Sequence, residues 1–559
     1  MPDFSNVKSL GELFGAENQF VYVAISAVNA ILLLAISYKF LQIMQQSGYE
    51  GFGYFKWLRR RDNVYLTRLT TMSLLSLLGY LLTNISLSFS SEWWVLYVGF
   101  VFYVCFVLSY VESEKKREKK VPLVRTARMN RLIAVYFLVL LIVNYLLVCL
   151  LTVAAYYLRF NPLLVRIRLC PLCVMPIAVP FFVLLAYYIT KPYEKSVQKQ
   201  YIKKCMAKLY ARPDLIKIGI TGSYGKTSVK EILKTLLEEK YSVLATPSSY
   251  NTPMGICKTV KKLKPSHEVF IAEMGARHVG DIRELAEIVR PDYAVINGIV
   301  GQHLETFGSL AAIRQTKYEI VESMPSGVVA YTVDNDNTAD LFNECRIKCV
   351  GAGLNLKRNP SVYATDLKVG SSGSEFILHF GDESVKCFTS LLGEHNVSNV
   401  CLAAAIAFEI GLTAGEVCAG ISRLRPIAHR LEVRETKKGV TVIDDSYNSN
   451  TQGIIAALNV LSKFEGRKIV VTPGLVELGR EQDLENYKFG KKLADVCDVA
   501  VLVGRTATYR IQDGLVDGYF DCDNIIVAKD LDSARKKLEK LLKEGDVVLF
   551  ENDLPDKFS

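Results

Sequence analysis

The chain has 559 residues, long enough for three or four units of ordinary domain size, and half of them are hydrophobic. Its formal net charge is +10, but the basic residues gather beside apolar stretches, at 56–61 and 115–120, where they set membrane topology, so nucleic-acid binding is set aside. The 13 cysteines are scattered and match neither a disulfide framework nor a zinc ribbon.

The apolar excess lies before about residue 190. Stretches 20–38, 69–89, 93–111, 132–158 and 169–190 each reach the roughly 20 residues needed to cross a bilayer. Trp93 and Trp94 open the third, where an aromatic belt is expected. Basic residues fill the first and third loops and the tail after 190, while 90–92 has none, which predicts an outside N-terminus and a cytoplasmic C-terminus. Arg159, Arg166 and Arg168 then fall on the outer side, as interface anchors or as the lining of a polar site between helices. Pro171, Pro176 and Pro180 predict a broken or re-entrant fifth span. Cys170 and Cys173 have redox spacing but read as packed membrane thiols. No cleavable signal peptide is expected, because the first apolar run has no basic region ahead of it.

From about Ile216 short β-branched runs alternate with amphipathic stretches, the pattern of a parallel sheet. Strands are expected at 217–221, 269–274, 293–297 and 327–332, and helices at 226–238, 310–324 and 397–410. Between 361 and 391 the period is two, which predicts an antiparallel excursion. A second series begins near Leu431, with strands at 440–443, 468–472, 499–503, 525–527 and 547–549 and helices at 451–464 and 531–542. The two are joined near Arg425-Pro426.

The firmest local feature is the run Gly222-Ser223-Tyr224-Gly225-Lys226-Thr227-Ser228, which leads from a strand into a helix. Glycines let backbone N–H groups close around phosphate, the helix N-terminus adds positive charge, Lys226 reaches the β/γ-phosphates and Thr227 offers a hydroxyl to Mg²⁺. The spacing is shorter than that of the usual P-loop, because position 220 is Ile.

Downstream motifs extend the match. Residues 221–231 (TGSYGKTSVKE), 272–276 (AEMGA), 290–294 (RPDYA), 303–308 (HLETFG), 316–320 (TKYEI), 393–399 (GEHNVSN), 444–450 (DDSYNSN) and 476–479 (VELG) follow in order. On these the chain resembles the Mur ligases, most closely their UDP-N-acetylmuramoyl-tripeptide–D-alanyl-D-alanine ligase branch, over about residues 216–503. The apolar stretches predict an α-helical membrane domain (1–192), and the resemblance implies that two α/β domains follow, a central P-loop ATPase-like parallel-sheet domain (193–425) and a C-terminal Rossmann-like Mur ligase domain (426–559). It implies ATP and Mg²⁺ as cofactors and carboxylate activation through an acyl phosphate. The implied catalytic residues are Lys226, Glu273, His303 and Lys317, and the implied metal-binding residues are Thr227, Glu273, His303 and a carbamylated Lys317. Gly222 through Ser228 with Asn396, Asn399, Arg430, Asp445 and Asn448 hold ATP, the last three closing over it. Asn251 and Thr252 face the acceptor.

Two departures shape the expected substrate. The small soluble domain that grips the uridine nucleotide is replaced by apolar stretches, and the closing segment 550–556 lacks the family's basic, glycine-containing ending. The reading is therefore an ATP-dependent ligase that adds an amino acid or a dipeptide such as D-Ala-D-Ala to a cell-wall precursor, lipid-linked or otherwise presented at the plasma membrane, with the bilayer as a partner and the catalytic domains cytoplasmic. A membrane ligase for a poly-amino-acid capsule chain and, in a different class, a P-loop ATP-driven transporter are the alternatives.

Overall fold

The computed structural model describes residues 9–59, 63–86, 95–115, 122–248, 250–301, 304–436, 439–446, 450–476, 478–504 and 507–552. Trp93, Trp94, the basic residues 116–120, His303 and Asn448 lie outside the described residues. The chain divides into a helical unit, up to Val197, and an α/β unit from Gln198.

In the helical unit, helices Ala16–Ile36, Val64–Ser86, Ala127–Tyr157 and the run Leu163–Tyr210 are long and apolar enough to cross a bilayer. The expected stretch at 93–111 falls on helix Val95–Lys115, whose last turn carries Glu112, Glu114 and Lys115. The break expected in the last span is confined to the 3₁₀ segment Ile167–Val174, which contains Pro171. Helix Met175–Tyr210 then runs on through Pro180 and Pro192. Pro176 stands in its first turn, where an N–H would have no intrahelical partner.

Side-chain chemistry in this unit is inverted relative to a protein in water. Leu74, Leu78 and Leu82, one turn apart, are each about half exposed, while Ser73, Ser76, Tyr80 and Asn84 of the same helix are buried. The Tyr103 hydroxyl donates to Asn29 Oδ1 at 2.7 Å, and Asn29 Nδ2 donates to Asn144 Oδ1 at 2.5 Å. Three helices are thereby tied through buried polar groups that satisfy one another, in addition to their apolar packing. Arg168 is 7 % exposed and donates Nη1 to the Val165 carbonyl, so it is no solvent-facing anchor. Cys173 is buried and both it and Cys170 are free thiols.

The α/β unit holds a nine-stranded and a six-stranded sheet. The first comprises β1 (Ile216–Thr221), β2 (Val243–Ala245), β3 (Val269–Glu273), β4 (Tyr293–Ile296), β5 (Val328–Thr332), β6 (Lys348–Gly353), β7 (Val362–Val369), β8 (Ser374–Phe380) and β9 (Glu383–Thr389), in the order 2-3-1-4-5-6-7-8-9. Strands β2 to β7 pair in parallel, and β7–β8–β9 form the antiparallel excursion expected from the period-two region. All five residues of β3 are buried, as a parallel strand covered on both faces requires. Helices Lys226–Leu237 and Glu394–Ile410 pack one core, and helices Pro253–Val260, Asp281–Val289 and Leu310–Glu322 another.

The second sheet comprises β10 (Glu432–Glu435), β11 (Thr441–Asp445), β12 (Lys468–Thr472), β13 (Val499–Val503), β14 (Ile525–Ala528) and β15 (Val547–Glu551), in the order 10-11-15-12-13-14. Only β10 is antiparallel to its neighbour. Strands β2, β6 and β10 are absent from the sequence expectations. The first is three residues long, the second is interrupted by Gly351, and the third alternates charge with one valine, so none presents a hydrophobic run.

Candidate active site

Open parallel sheets place ligands beyond the carboxyl ends of their strands. Here β1 ends at Thr221 and turns through Gly222 (φ 149°) and Gly225 (φ 70°) into helix Lys226–Leu237. Gly225 sits in the left-handed region, and a Cβ there would collide with the Asn297 amide. Both facts require glycine. The loop is pinned to the end of β4: Ser223 N donates to the Gly298 carbonyl at 2.8 Å, and its hydroxyl donates to the Val300 carbonyl at 3.1 Å. Tyr224 lies where a side chain on Gly298 would be, and burial lifts its phenol to about 12.

Lys226 folds back over the loop and donates to the carbonyls of Gly222 at 2.7 Å and Ser223 at 3.2 Å. Burial pushes its ammonium down to about 8; the charge of Glu273 opposes this and that of Arg430 adds to it. Thr227 Oγ1 donates to Glu273 Oε2 at 3.0 Å. Glu273, the last residue of β3, is 1 % exposed, and its other oxygen accepts from Asn251 Nδ2 at 3.2 Å. Ser228 is buried in the first turn of the same helix.

Lys317 lies on helix Leu310–Glu322 and is 3 % exposed. Burial pushes its amine down to about 7, the charge of Lys226 adds to this, and Asp281 and Glu319 oppose it. Among the described residues its ammonium has no hydrogen-bond or ion-pair partner. Asn399 is buried and its Oδ1 accepts from Asn297 Nδ2 at 2.9 Å, within reach of Gly225. Asn396 Nδ2 donates to the Leu392 carbonyl at 2.8 Å, so that amide is committed to the start of its own helix. Thr252 caps helix Pro253–Val260, its hydroxyl accepting from Gly255 N at 3.3 Å. Asp445 ends β11, where burial lifts its carboxyl to about 6 against the pull of Arg430 and the Leu431 N–H. Arg430, Thr227, Glu231, Ser248, Arg425 and His429 share the wall of a cavity of about 420 Å³.

Of the residues expected at the site, the structure thus gathers Gly222, Ser223, Tyr224, Gly225, Lys226, Thr227, Ser228, Glu273, Asn251 and Asn399, with Lys317 and Arg430 within electrostatic reach of Lys226. His303 and Asn448 lie outside the described residues. Asn297 and Lys230 are not singled out by sequence reasoning. Asn297 had only its place at a strand end as a signal; Lys230 stands inside a quoted motif, three residues after Thr227 and so on the same helix face.

Among the described residues no three His, Cys, Asp or Glu side chains cluster as a metal site. The Thr227 hydroxyl and the Glu273 carboxylate are the hard oxygen donors present. That set suits Mg²⁺, which is commonly held by one or two carboxylates together with substrate phosphates and water.

Residues 220–407 match the Mur ligase middle domain, and residues 429–551 match the Mur ligase, glutamate ligase domain. The chain is 32 % identical over 356 residues to the UDP-N-acetylmuramoyl-tripeptide–D-alanyl-D-alanine ligase of Mycobacterium bovis, covering 59 % of this chain and 69 % of that one. It is 29 % identical over 331 residues to the Escherichia coli K12 enzyme of the same name, covering 59 % and 73 %. A crystal structure of MurF from Acinetobacter baumannii superposes with a TM-score of 0.59 at 25 % identity, covering 64 % and 78 %. MurF ligase from Thermotoga maritima in complex with ADP gives 0.57 at 26 %, covering 64 % and 80 %. The phosphate-loop geometry and these matches lead to one conclusion: this chain belongs to the Mur ligase family, the ATP-dependent, ADP-forming ligases that work with Mg²⁺.

Proposed function

We propose that this chain joins the terminal carboxylate of a cell-wall peptide precursor to the amine of a donor such as D-Ala-D-Ala, and that its helical unit presents the acceptor at the plasma membrane. The observation that carries the reading is the meeting of Lys226, Thr227, Glu273 and Asn251 at the ends of β1 and β3. The three-part division 1–192, 193–425 and 426–559 belongs to this proposal, as do a cytoplasmic ligase part and a bilayer around the apolar helices.

In the reaction the acceptor carboxylate attacks the γ-phosphorus of ATP, and ADP leaves with the electron pair of the broken P–O bond. The donor amine attacks the resulting acyl phosphate, loses a proton, and phosphate leaves. Positioning and charge stabilisation do the work, with no covalent nucleophile on the protein. Lys226 and the N–H groups of Gly222 through Ser228 hold the β/γ end. Thr227, Glu273, His303 and a carbamylated Lys317 are assigned to Mg²⁺, which when bound neutralises phosphate charge. Asn396, Asn399, Arg430, Asp445 and Asn448 are assigned to the nucleotide, with the last three moving in as the site closes. Asn251 and Thr252 face the acceptor, Thr252 through its position, since its hydroxyl caps a helix.

The membrane part of the proposal rests on four helices long and apolar enough to span and on their exposed leucines. The test uses the full chain in lipid nanodiscs with Mg²⁺, ATP and D-Ala-D-Ala, and an acceptor carrying ¹⁸O in its carboxylate. ADP release that depends on both substrates, with ¹⁸O appearing in phosphate, is expected. ADP release without ¹⁸O transfer refutes the acyl phosphate. Equal turnover of UDP-linked and lipid-linked tripeptide refutes membrane presentation.

A further inference from the structure

Lys230 is fully buried, a rare place for an ammonium group. Its Nζ donates to Glu273 Oε2 at 3.2 Å and to the Ser248 carbonyl, and lies 3.4 Å from Glu231 Oε1. The ammonium therefore bridges two things that the reaction must align: the carboxylate beside Thr227, and the loop 246–252 that carries Asn251 and Thr252.

Thr246 and Asn251 of that loop are tied to the same strand end. Glu273 N donates to Thr246 Oγ1 at 3.0 Å, Asn251 Nδ2 donates to Glu273 Oε1 at 3.2 Å, and Gly275 N donates to the Asn251 carbonyl at 2.9 Å. Ser248 is held at φ 47°, a conformation that a non-glycine residue keeps only when its surroundings impose it. The Lys230 contact is made to the carbonyl of that residue. Its donor is a full positive charge, itself paired with Glu273 Oε2, and charge-assisted bonds are roughly twice as strong as neutral ones.

We propose that Lys230 is a positioning residue that fixes the acceptor-side loop against Glu273, so that loop order and the phosphate-side carboxylate are set together. The role in turnover rests on the ligase reading above; the tether itself does not. Lys230→Met keeps the aliphatic stem and removes the ammonium. The phosphate loop keeps its own bonds to Gly298 and Val300, so the effect is local.

Hydrogen exchange on the full chain tests this without any acceptor. In Lys230→Met, amides of 246–252 should exchange roughly ten-fold faster or more, the amount expected for a lost charge-assisted bond, while helix Lys226–Leu237 and β5 stay unchanged. With lipid-linked muramoyl-tripeptide in nanodiscs as acceptor, its KM should rise roughly ten-fold or more while the KM for ATP moves less than about three-fold. Loop exchange within about two-fold of the parent overturns the proposal. If the single variant does not fold, Lys230→Met with Glu273→Gln removes both buried charges; its loop should again exchange fast, and slow exchange overturns the proposal. Absent turnover in the parent chain counts against the ligase reading and leaves the exchange result to decide on the tether.

Discussion

Lys317 offers the sharpest test of the site chemistry. The carbamate proposed at this residue requires a neutral amine, because the reaction R–NH₂ + CO₂ gives R–NH–COO⁻ and a proton. A lysine at its ordinary 10.5 is neutral in roughly one molecule in 3,000 at pH 7, whereas burial that pushes Lys317 to about 7 leaves about half of it neutral. The supply of reactive amine is thus raised by about a thousand-fold without any added base. At fixed dissolved CO₂ the occupancy should climb with pH, because the neutral amine becomes available near pH 7 and each carbamate formed releases a proton. The assay is ADP release by enzyme stripped of CO₂ under argon, then titrated with bicarbonate at pH 6, 7 and 8. Activity should be low when stripped and recover with bicarbonate, more fully at pH 8 than at pH 6. Lys317→Met should show neither activity nor response. Full activity of Lys317→Met, or a parent enzyme indifferent to bicarbonate at every pH, would refute the reasoning.

The sign of the linked stability effect is also fixed. Between about 7 and 10.5 the unfolded chain holds the Lys317 proton and the folded chain does not, so folding is favoured as pH rises across that window. Relative to Lys317→Met, the CO₂-free parent should lose stability as pH falls from 10 to 7, by about 4 kcal/mol at 1.36 kcal/mol per pH unit, and little further below 7.

Three other outcomes are expected. Glu273→Gln keeps the hydrogen bond from Thr227 but removes the negative charge, and should lower kcat for ADP release on the order of a hundred-fold or more with the fold intact by circular dichroism. Gly225→Ala puts a Cβ into the Asn297 amide at φ 70° and should abolish MgATP binding measured by calorimetry; retained binding would count against the phosphate loop as drawn. Asn29→Leu breaks the chain Tyr103–Asn29–Asn144 and should cost about 1 kcal/mol in detergent unfolding, without altering the nucleotide affinity of the α/β unit.

Local patterns carried much of the architecture. Lys468–Thr472 and Val499–Val503 are strands with the expected bounds because a short β-branched run flanked by turns has few other ways to bury itself. The phosphate loop was legible for the same reason: glycine spacing, a lysine and a hydroxyl are local requirements of cradling phosphate. Strand β6, by contrast, has Gly351 and Gly353 among its six residues and becomes a strand only because β5 and β7 pair with it.

What the tertiary structure alone decided is which groups face one another. Glu273 lies 46 residues from Thr227 in the chain and Lys230 lies 18 from Ser248, and their meeting depends on the register of β1 with β3 and on the rotation of helix Lys226–Leu237. The depressed amine of Lys317 is likewise a product of burial and of the charge on Lys226, brought near from another element. In the sequence Arg168 read as a possible anchor; only the packing of the helices shows it buried. Periodicity and motif spacing are properties of neighbours along the chain, whereas desolvation and charge pairing are properties of neighbours in space.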